Sequence, residues 1–193
     1  KGDKVMIQPP VYGPFHWLNT RGDRTLVTNP LKLVDGMYRM DMEAFRRDVK
    51  GCKVFILCNP HNPGGVVWTE EELKEVAEIC YEEGVLVFSD EIHADLTLPP
   101  HKHRPFAMVS EKARMNSVTF MSPSKAFNMP GLTASHALIF NPKLRRKFHT
   151  YLESSELDLG HVFAFLAIEA AYTHGTEWLD QCLAYIQGNI DYV

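Results

Sequence analysis

Short apolar runs alternate along this chain with longer segments whose apolar residues recur at helical spacing. The runs that we predict to be strands are residues 5–8, 24–28, 53–58, 85–89, 117–121 and 135–140. Most of them are apolar throughout, as is typical of strands that are covered on both faces. The alternation therefore predicts the α/β class, with helices packed around a mostly parallel sheet.

Helix signals fill the gaps between these runs. Thr69 and Glu72 have the spacing of a capping box, and Gly84 follows the apolar stripe that comes after them. Asp41 and Pro142 are placed to begin two further helices. These signals support the βα alternation, because each helix is followed by a predicted strand.

The composition excludes several classes of protein. The 193 residues carry a formal net charge of -4 and no block of Lys or Arg, which argues against binding to nucleic acid or to a membrane surface. No run approaches the roughly 18 apolar residues that a membrane-spanning helix needs. The cysteines show neither metal-ligand spacing nor disulfide density, so we expect a reducing, cytoplasmic location and no metal site.

Residues 1–193 read as one domain, without an internal repeat or a linker rich in Gly and Ser. The pattern is helical from about residue 161 onward, with a break near Gly175. Its last segment, residues 177–193, keeps an apolar stripe to the end, and the sequence starts without Met. We therefore expect a piece of a longer gene product.

Polar motifs lie at or near the carboxyl ends of several predicted strands. They are Pro-Pro-Val-Tyr-Gly-Pro-Phe at 9–15, Asn-Pro-His-Asn-Pro-Gly-Gly at 59–65, Ser-Asp-Glu-Ile-His at 89–93 and Ser-Pro-Ser-Lys at 122–125. Open α/β sheets bind their ligands at this edge. We therefore expect Asn62, Asp90 and Lys125 to converge on one pocket.

In this order the motifs resemble those of the fold-type I pyridoxal-phosphate enzymes, the aspartate aminotransferase superfamily, over nearly the whole chain. Asp-Glu-Ile-His and Ser-Pro-Ser-Lys-Ala-Phe-Asn are most similar to the cystathionine β-lyase branch, the bacterial C-S lyases. The resemblance implies a three-layer sandwich, the large cofactor-binding domain of such an enzyme, with pyridoxal 5'-phosphate as cofactor. It also implies that the N-terminal arm, the phosphate loop and the small domain lie outside this chain, which we expect to be a poor catalyst alone.

The resemblance assigns catalytic roles to Lys125 and Asp90. Lys125 would hold the cofactor aldehyde and remove the substrate's α-proton, tasks that require a lysine with a lowered pKa. Asp90 would keep the pyridine nitrogen protonated, so that the ring can accept electrons. The alternatives are a solvated loop lysine and an aspartate that caps a helix after a strand.

The resemblance also assigns cofactor contacts. Asn62 would donate its amide to the phenolate oxygen, and His93 stands where aminotransferases commonly carry a tyrosine that touches the same oxygen. Tyr12 would stack on one face of the ring and Ile92 would press on the other. The alternatives are turn chemistry for Asn62 and ordinary core positions for Tyr12 and Ile92.

The phosphate contacts are less completely assigned. Ser122 and Ser124 are candidate phosphate ligands through their hydroxyls, although serines in this position can also start a helix. Thr133 stands where aminotransferases usually carry an arginine that pairs with the phosphate, which weakens the aminotransferase hypothesis. His101 and His103 have alternate spacing that could suit a metal, but the surrounding prolines favour a polar loop.

The leading functional hypothesis is β-elimination of a sulfur amino acid, such as cystathionine or cysteine, to pyruvate, ammonia and a thiol. An aminotransferase is the alternative, because the same cofactor site serves both reactions. A further alternative is the aminotransferase-like effector domain of a transcription regulator. We expect a small amino-acid substrate and a homodimer in the full-length protein. A nicotinamide-dependent oxidoreductase lacks its Gly-x-Gly-x-x-Gly turn here.

Overall fold

The computed structural model describes residues 2–193, so residue 1 of the predicted domain lies outside the described residues. The strands are β1 (Lys4–Ile7), β2 (Thr25–Thr28), β3 (Lys32–Val34), β4 (Met37–Arg39), β5 (Cys52–Cys58), β6 (Leu86–Asp90), β7 (Ser117–Met121) and β8 (His136–Leu138). The α-helices are α1 (Pro14–Arg21), α2 (Met42–Asp48), α3 (Glu70–Glu82), α4 (Glu111–Met115), α5 (Pro142–Ser154), α6 (Val162–His174) and α7 (Thr176–Tyr192).

The main sheet has the strand order β2-β1-β5-β6-β7-β8. Every neighbouring pair in it is parallel except β7 and β8, which are antiparallel. Each of the predicted strands is present, with ends that differ from the prediction by no more than one or two residues. The predicted α/β fold with a mostly parallel sheet is confirmed.

Successive side chains on the central strands point to opposite faces of the sheet and enter different clusters. Met6 and Phe55 belong to the large core that α2, α3 and α4 cover on one face. Ile7 and Ile56, one residue further along each strand, pack with Phe15 of α1 on the other face. This alternation explains the apolar runs, because a strand that is covered on both faces needs apolar side chains at every position.

The capping box predicted for α3 is present. The Thr69 hydroxyl accepts the Glu72 backbone N–H at 3.2 Å, and the Glu72 carboxylate accepts the Thr69 backbone N–H at 2.8 Å. Gly84 follows the helix with φ of 66°, a left-handed conformation that favours glycine. The chain then enters β6, so these local signals set the entry of the strand that ends at Asp90.

The short hairpin of β3 and β4 was not predicted. Its strands have only three residues each and are joined by Asp35 and Gly36, whose φ angles are 51° and 76°. Two consecutive left-handed residues of the type Asp-Gly are typical of a two-residue hairpin turn. The dipeptide was the available signal, but runs this short carry too little periodicity to be recognised as strands.

The helical pattern predicted after residue 161 is α6 and α7, separated at Gly175 as expected. Both helices carry large apolar side chains that are exposed, including Phe163, Phe165, Leu166 and Trp178. Within residues 2–193, none of the helices combines the length and apolar character needed to cross a bilayer.

We predict that Thr69→Ala lowers the free energy of unfolding by about 1 kcal/mol, because the first turn of α3 loses a hydroxyl acceptor. Urea denaturation of the protein measures this difference. The matched control is Thr150→Ala at an exposed position inside α5, where alanine should cost no stability because its helix propensity is higher. Equal losses for both variants would contradict the assigned role of the cap.

Candidate active site

A pocket of about 260 Å³ lies at the carboxyl edge of the sheet. It is lined by Tyr12, Cys58, Asn62, Asp90, Ile92, His93 and Lys125. The register of the sheet explains why these segments meet, since Cys58 at the end of β5 pairs with Asp90 of β6 and Asp90 pairs with Phe120 of β7. The expected convergence of Asn62, Asp90 and Lys125 is present.

The loop after β5 is held so that Asn62 faces the pocket. Cys58 Sγ accepts the Asn62 backbone N–H at 3.2 Å, and the Cys58 carbonyl accepts the indole N–H of Trp68 at 2.9 Å. The backbone N–H of His61 donates to the Val66 carbonyl at 2.8 Å, which closes the loop. Asn62 therefore belongs to an ordered turn, as the turn-chemistry alternative requires, and its amide also lines the pocket.

Asp90 is a largely buried carboxylate at the end of β6. Burial raises its pKa, and the nearby Lys125 charge only partly opposes this effect. Asp90 Oδ1 accepts the Ile92 backbone N–H at 3.3 Å, but a short 3₁₀ turn at Ala94–Leu96 follows rather than an α-helix. Within residues 2–193 no lysine or arginine forms an ion pair with this carboxylate, so a cationic ring nitrogen would suit it.

His93 lies beside Asn62 in the same pocket. Its Nε2 atom is 3.5 Å from Asn62 Nδ2, so both side chains address one point of the pocket wall. Burial lowers the pKa of His93, and the positive charge of Lys125 lowers it further. The imidazole is therefore neutral at neutral pH and can accept or donate one hydrogen bond.

Lys125 is placed by a tight turn after β7. The Phe127 backbone N–H donates to the Pro123 carbonyl and the Met129 N–H to the Ser124 carbonyl, each at 2.9 Å. The Lys125 side chain is exposed, as expected for a solvated loop lysine, yet it lines the pocket and its charge acts on Asp90. No ion pair or hydrogen bond of its amine is found in the part of the chain that the structure describes.

Tyr12 and Ile92 are not core residues, contrary to the alternative considered for them. The Tyr12 ring is 44% exposed at the pocket and makes an edge-to-face contact with Phe15, with centroids 5.7 Å apart. Ile92 is half-buried and lines the pocket next to Asp90. An exposed aromatic ring at the mouth of a polar pocket is suited to cover a flat ligand.

Ser122 and Ser124 do not line this pocket. The Ser122 hydroxyl is buried, lies 2.9 Å from the Ser124 hydroxyl, donates to the Ala134 carbonyl and accepts the Ser124 backbone N–H. These bonds shape the turn that carries Lys125. Phosphate binding by the two serines stays a prediction, and it would require the Ser122 hydroxyl to exchange its partner.

Sequence reasoning missed Cys58 and Glu91. Burial raises the pKa of the Cys58 thiol to about 12, so the thiol in the pocket is neutral. The available signal was its position at the end of an apolar strand, directly before the asparagine motif. Glu91 is buried behind Asp90 and bonds to His103 through Nε2 at 2.7 Å, which places His103 in a polar network rather than beside His101.

Comparison with known proteins agrees with this geometry. Residues 1–154 match the family model described as aminotransferase class I and II. Cystathionine beta-lyase PatB of Bacillus subtilis is 45% identical over 192 residues, which are 98% of this chain and 50% of that protein. Protein MalY of Escherichia coli is 35% identical over 196 residues, 100% of this chain and 49% of that protein.

A solved structure shows the same fold. The pyridoxal-phosphate-bound C-S lyase from Staphylococcus hominis superposes with a TM-score of 0.89 at 36% identity, covering 98% of this chain and 48% of that one. The chain thus spans about half the length of the curated relatives that it matches.

We predict that Asp90→Asn raises the free energy of unfolding of the cofactor-free protein at neutral pH. Folding raises the pKa of Asp90 above its ordinary value of 3.8, so the folded chain binds this proton more tightly than the unfolded chain. The stability of the parent protein therefore falls as pH rises from 3.8 through the folded pKa, and the gain from asparagine disappears toward low pH.

Urea denaturation of both proteins across this pH range measures the effect. The control is Asp158→Asn, because Asp158 is exposed in the loop between α5 and α6. A variant at Asp90 that is less stable than its parent at neutral pH would show that the carboxylate is compensated in the folded protein.

Proposed function

The chain belongs to the class I and class II aminotransferase family, and on that premise we propose that its protein is a pyridoxal-phosphate-dependent carbon-sulfur lyase. The reaction is β-elimination of a sulfur amino acid such as cystathionine or cysteine. The observation that carries the proposal is the meeting of Asn62, Asp90 and Lys125 in one pocket. Identity of 45% to a cystathionine beta-lyase supports elimination.

The residues of the pocket fit this cofactor. Asp90 offers a buried carboxylate to a protonated ring nitrogen, and Asn62 and His93 offer polar atoms to the phenolate oxygen. Bound there, pyridoxal phosphate supplies an aldehyde that captures amines and a ring that withdraws electrons from the α-carbon. Tyr12 would cover one face of the ring and Ile92 the other.

Lys125 carries the proton transfer in this proposal. Its Nζ atom would hold the cofactor aldehyde until the substrate amine replaces it, and the freed amine would then accept the proton from Cα. Loss of that proton allows the Cβ–S bond to break, with the electron pair leaving on the thiolate. Hydrolysis of the remaining enamine gives pyruvate and ammonia.

Amino transfer is the second candidate, because the matching family model covers aminotransferases. Both reactions begin with removal of the α-proton by Lys125. They differ in the next step, since transamination returns the proton to the cofactor side and elimination expels a group from Cβ. Thr133, where an arginine is usual in aminotransferases, favours elimination.

The organisation of the whole protein is proposed on the same grounds. Residues 1–193 would form the large cofactor-binding domain of a cytoplasmic homodimer that acts on a small amino acid. The exposed apolar side chains of α6, such as Phe163 and Phe165, support a further protein surface packing there. A full-length protein with the mass of one subunit in solution would contradict the dimer.

Two assays of the full-length protein test the proposed reaction. We expect pyruvate to be released from cystathionine in the presence of pyridoxal phosphate, and little amino transfer to 2-oxoglutarate. Efficient amino transfer without pyruvate would favour the second candidate. Failure of the protein to bind pyridoxal phosphate would exclude both.

We predict different losses for two substitutions in the full-length protein. Lys125→Ala should abolish turnover and the visible absorbance of covalently held cofactor, because it removes the covalent link and the base. Asp90→Ala should keep the cofactor bound covalently but lower turnover by about a hundredfold, because the ring no longer stays protonated.

The matched control is Lys147→Ala, since Lys147 is exposed on α5 away from the pocket. Its absorbance and turnover should equal those of the parent protein. Normal elimination by the Lys125 variant would exclude the proposed mechanism.

A further inference from the structure

We propose that Glu91 and His103 are positioning residues, whose buried bridge fixes the turn that carries Asp90, Ile92 and His93 into the pocket. This inference rests on the proposed cofactor site. Neither residue lines the pocket, so both would act through the residues between the sheet and the cofactor.

The Glu91 carboxylate is buried, with 1% of the residue exposed, and each of its oxygens has a donor. Oε1 accepts the Ser89 hydroxyl at 2.7 Å and the Phe106 backbone N–H at 2.9 Å. Oε2 lies 2.7 Å from His103 Nε2, which donates to it. Glu91 therefore joins the end of β6 to the segment at 103–106, which is remote in the chain.

The turn after β6 places neighbouring side chains on opposite sides. Asp90, Ile92 and His93 line the pocket, whereas Glu91 points away from it into the polar network. The Glu91 backbone is fixed as well, because its N–H donates to the Phe120 carbonyl at 2.8 Å and its carbonyl accepts the Ala94 N–H at 3.0 Å. A shift of Glu91 would therefore move the pocket residues on either side of it.

A second tie connects the same segment to β5. Asn59 Nδ2 donates to the Arg104 carbonyl at 3.0 Å, and the Asn59 backbone N–H donates to the Asp90 carbonyl at 2.9 Å. The segment that carries His103 is thus joined to the strand end before Asn62 as well as to β6. Its position is coupled to both walls that present polar groups to the cofactor.

The charge of Glu91 explains why His103 matters to this arrangement. A buried carboxylate is costly unless hydrogen bonds or a cation compensate it. Among residues 2–193, no lysine or arginine forms an ion pair with Glu91, so the His103 imidazole supplies the donor for Oε2. Removal of His103 would leave that oxygen buried without a partner and would favour a rearrangement of the turn.

The test uses full-length protein with pyridoxal phosphate, and compares Glu91→Ala, His103→Ala and the conservative His103→Gln. We expect His103→Ala and Glu91→Ala to weaken cofactor binding and to lower kcat, each by about tenfold, with KM nearly unchanged because neither residue touches substrate. The circular dichroism of the bound cofactor should decrease as the ring loses its fixed orientation. His103→Gln should restore most of each signal, because its amide can donate to Oε2.

The control for a purely structural role is Val76→Ala, which truncates a fully buried side chain on α3 that does not line the pocket. It should lower stability while the cofactor-loaded protein keeps its kcat and circular dichroism. His103→Ala with the affinity, kcat and circular dichroism of its parent, or with only the stability loss of Val76→Ala, would overturn the inference. His103 is less buried than Glu91, so its variants keep the test valid if Glu91→Ala does not fold.

The outcomes separate this inference from the proposed reaction. Parent protein that binds cofactor but transaminates would change the reaction and leave the role of Glu91 and His103 supported by the affinity and dichroism results. Parent protein that binds no pyridoxal phosphate would overturn both proposals.

Discussion

Backbone hydrogen bonds hold β5, β6 and β7 parallel and in register, with Cys58 level with Asp90 and Asp90 level with Phe120. Because the strands run in one direction, their carboxyl ends meet at one edge, and the loops that leave there are forced together. Asn62 and Lys125 reach the pocket in this way from distant parts of the chain. The site is therefore a consequence of strand direction as much as of its own residues.

The two acidic residues at the end of β6 have contrasting environments. Glu91 is buried but satisfied by hydrogen bonds from Ser89, Phe106 and His103, which makes it a rigid element of the fold. Asp90 is largely buried with one backbone donor, and burial raises its pKa. The fold stabilises the first carboxylate and leaves the second to be compensated by a ligand, as expected where function opposes stability.

The pocket chemistry is shared by elimination and amino transfer because both depend on acidification of one C–H bond. A buried carboxylate, a neutral imidazole and a mobile amine provide for that common step. The step that follows depends on whether the substrate carries a leaving group at Cβ. This is why the relation to lyases, rather than the pocket alone, favours elimination in the proposed function.

The sequence by itself determined the strands of the main sheet, the cap at Thr69 and the class of fold, because these features depend on local periodicity and on neighbours in the chain. Its motifs also indicated which strand ends carry Asp90 and Lys125. Only the tertiary structure decided that Ser122 bonds within its own turn and that Glu91 meets His103. Such partners are set by the packing of segments far apart in sequence, and no local pattern records which groups will meet.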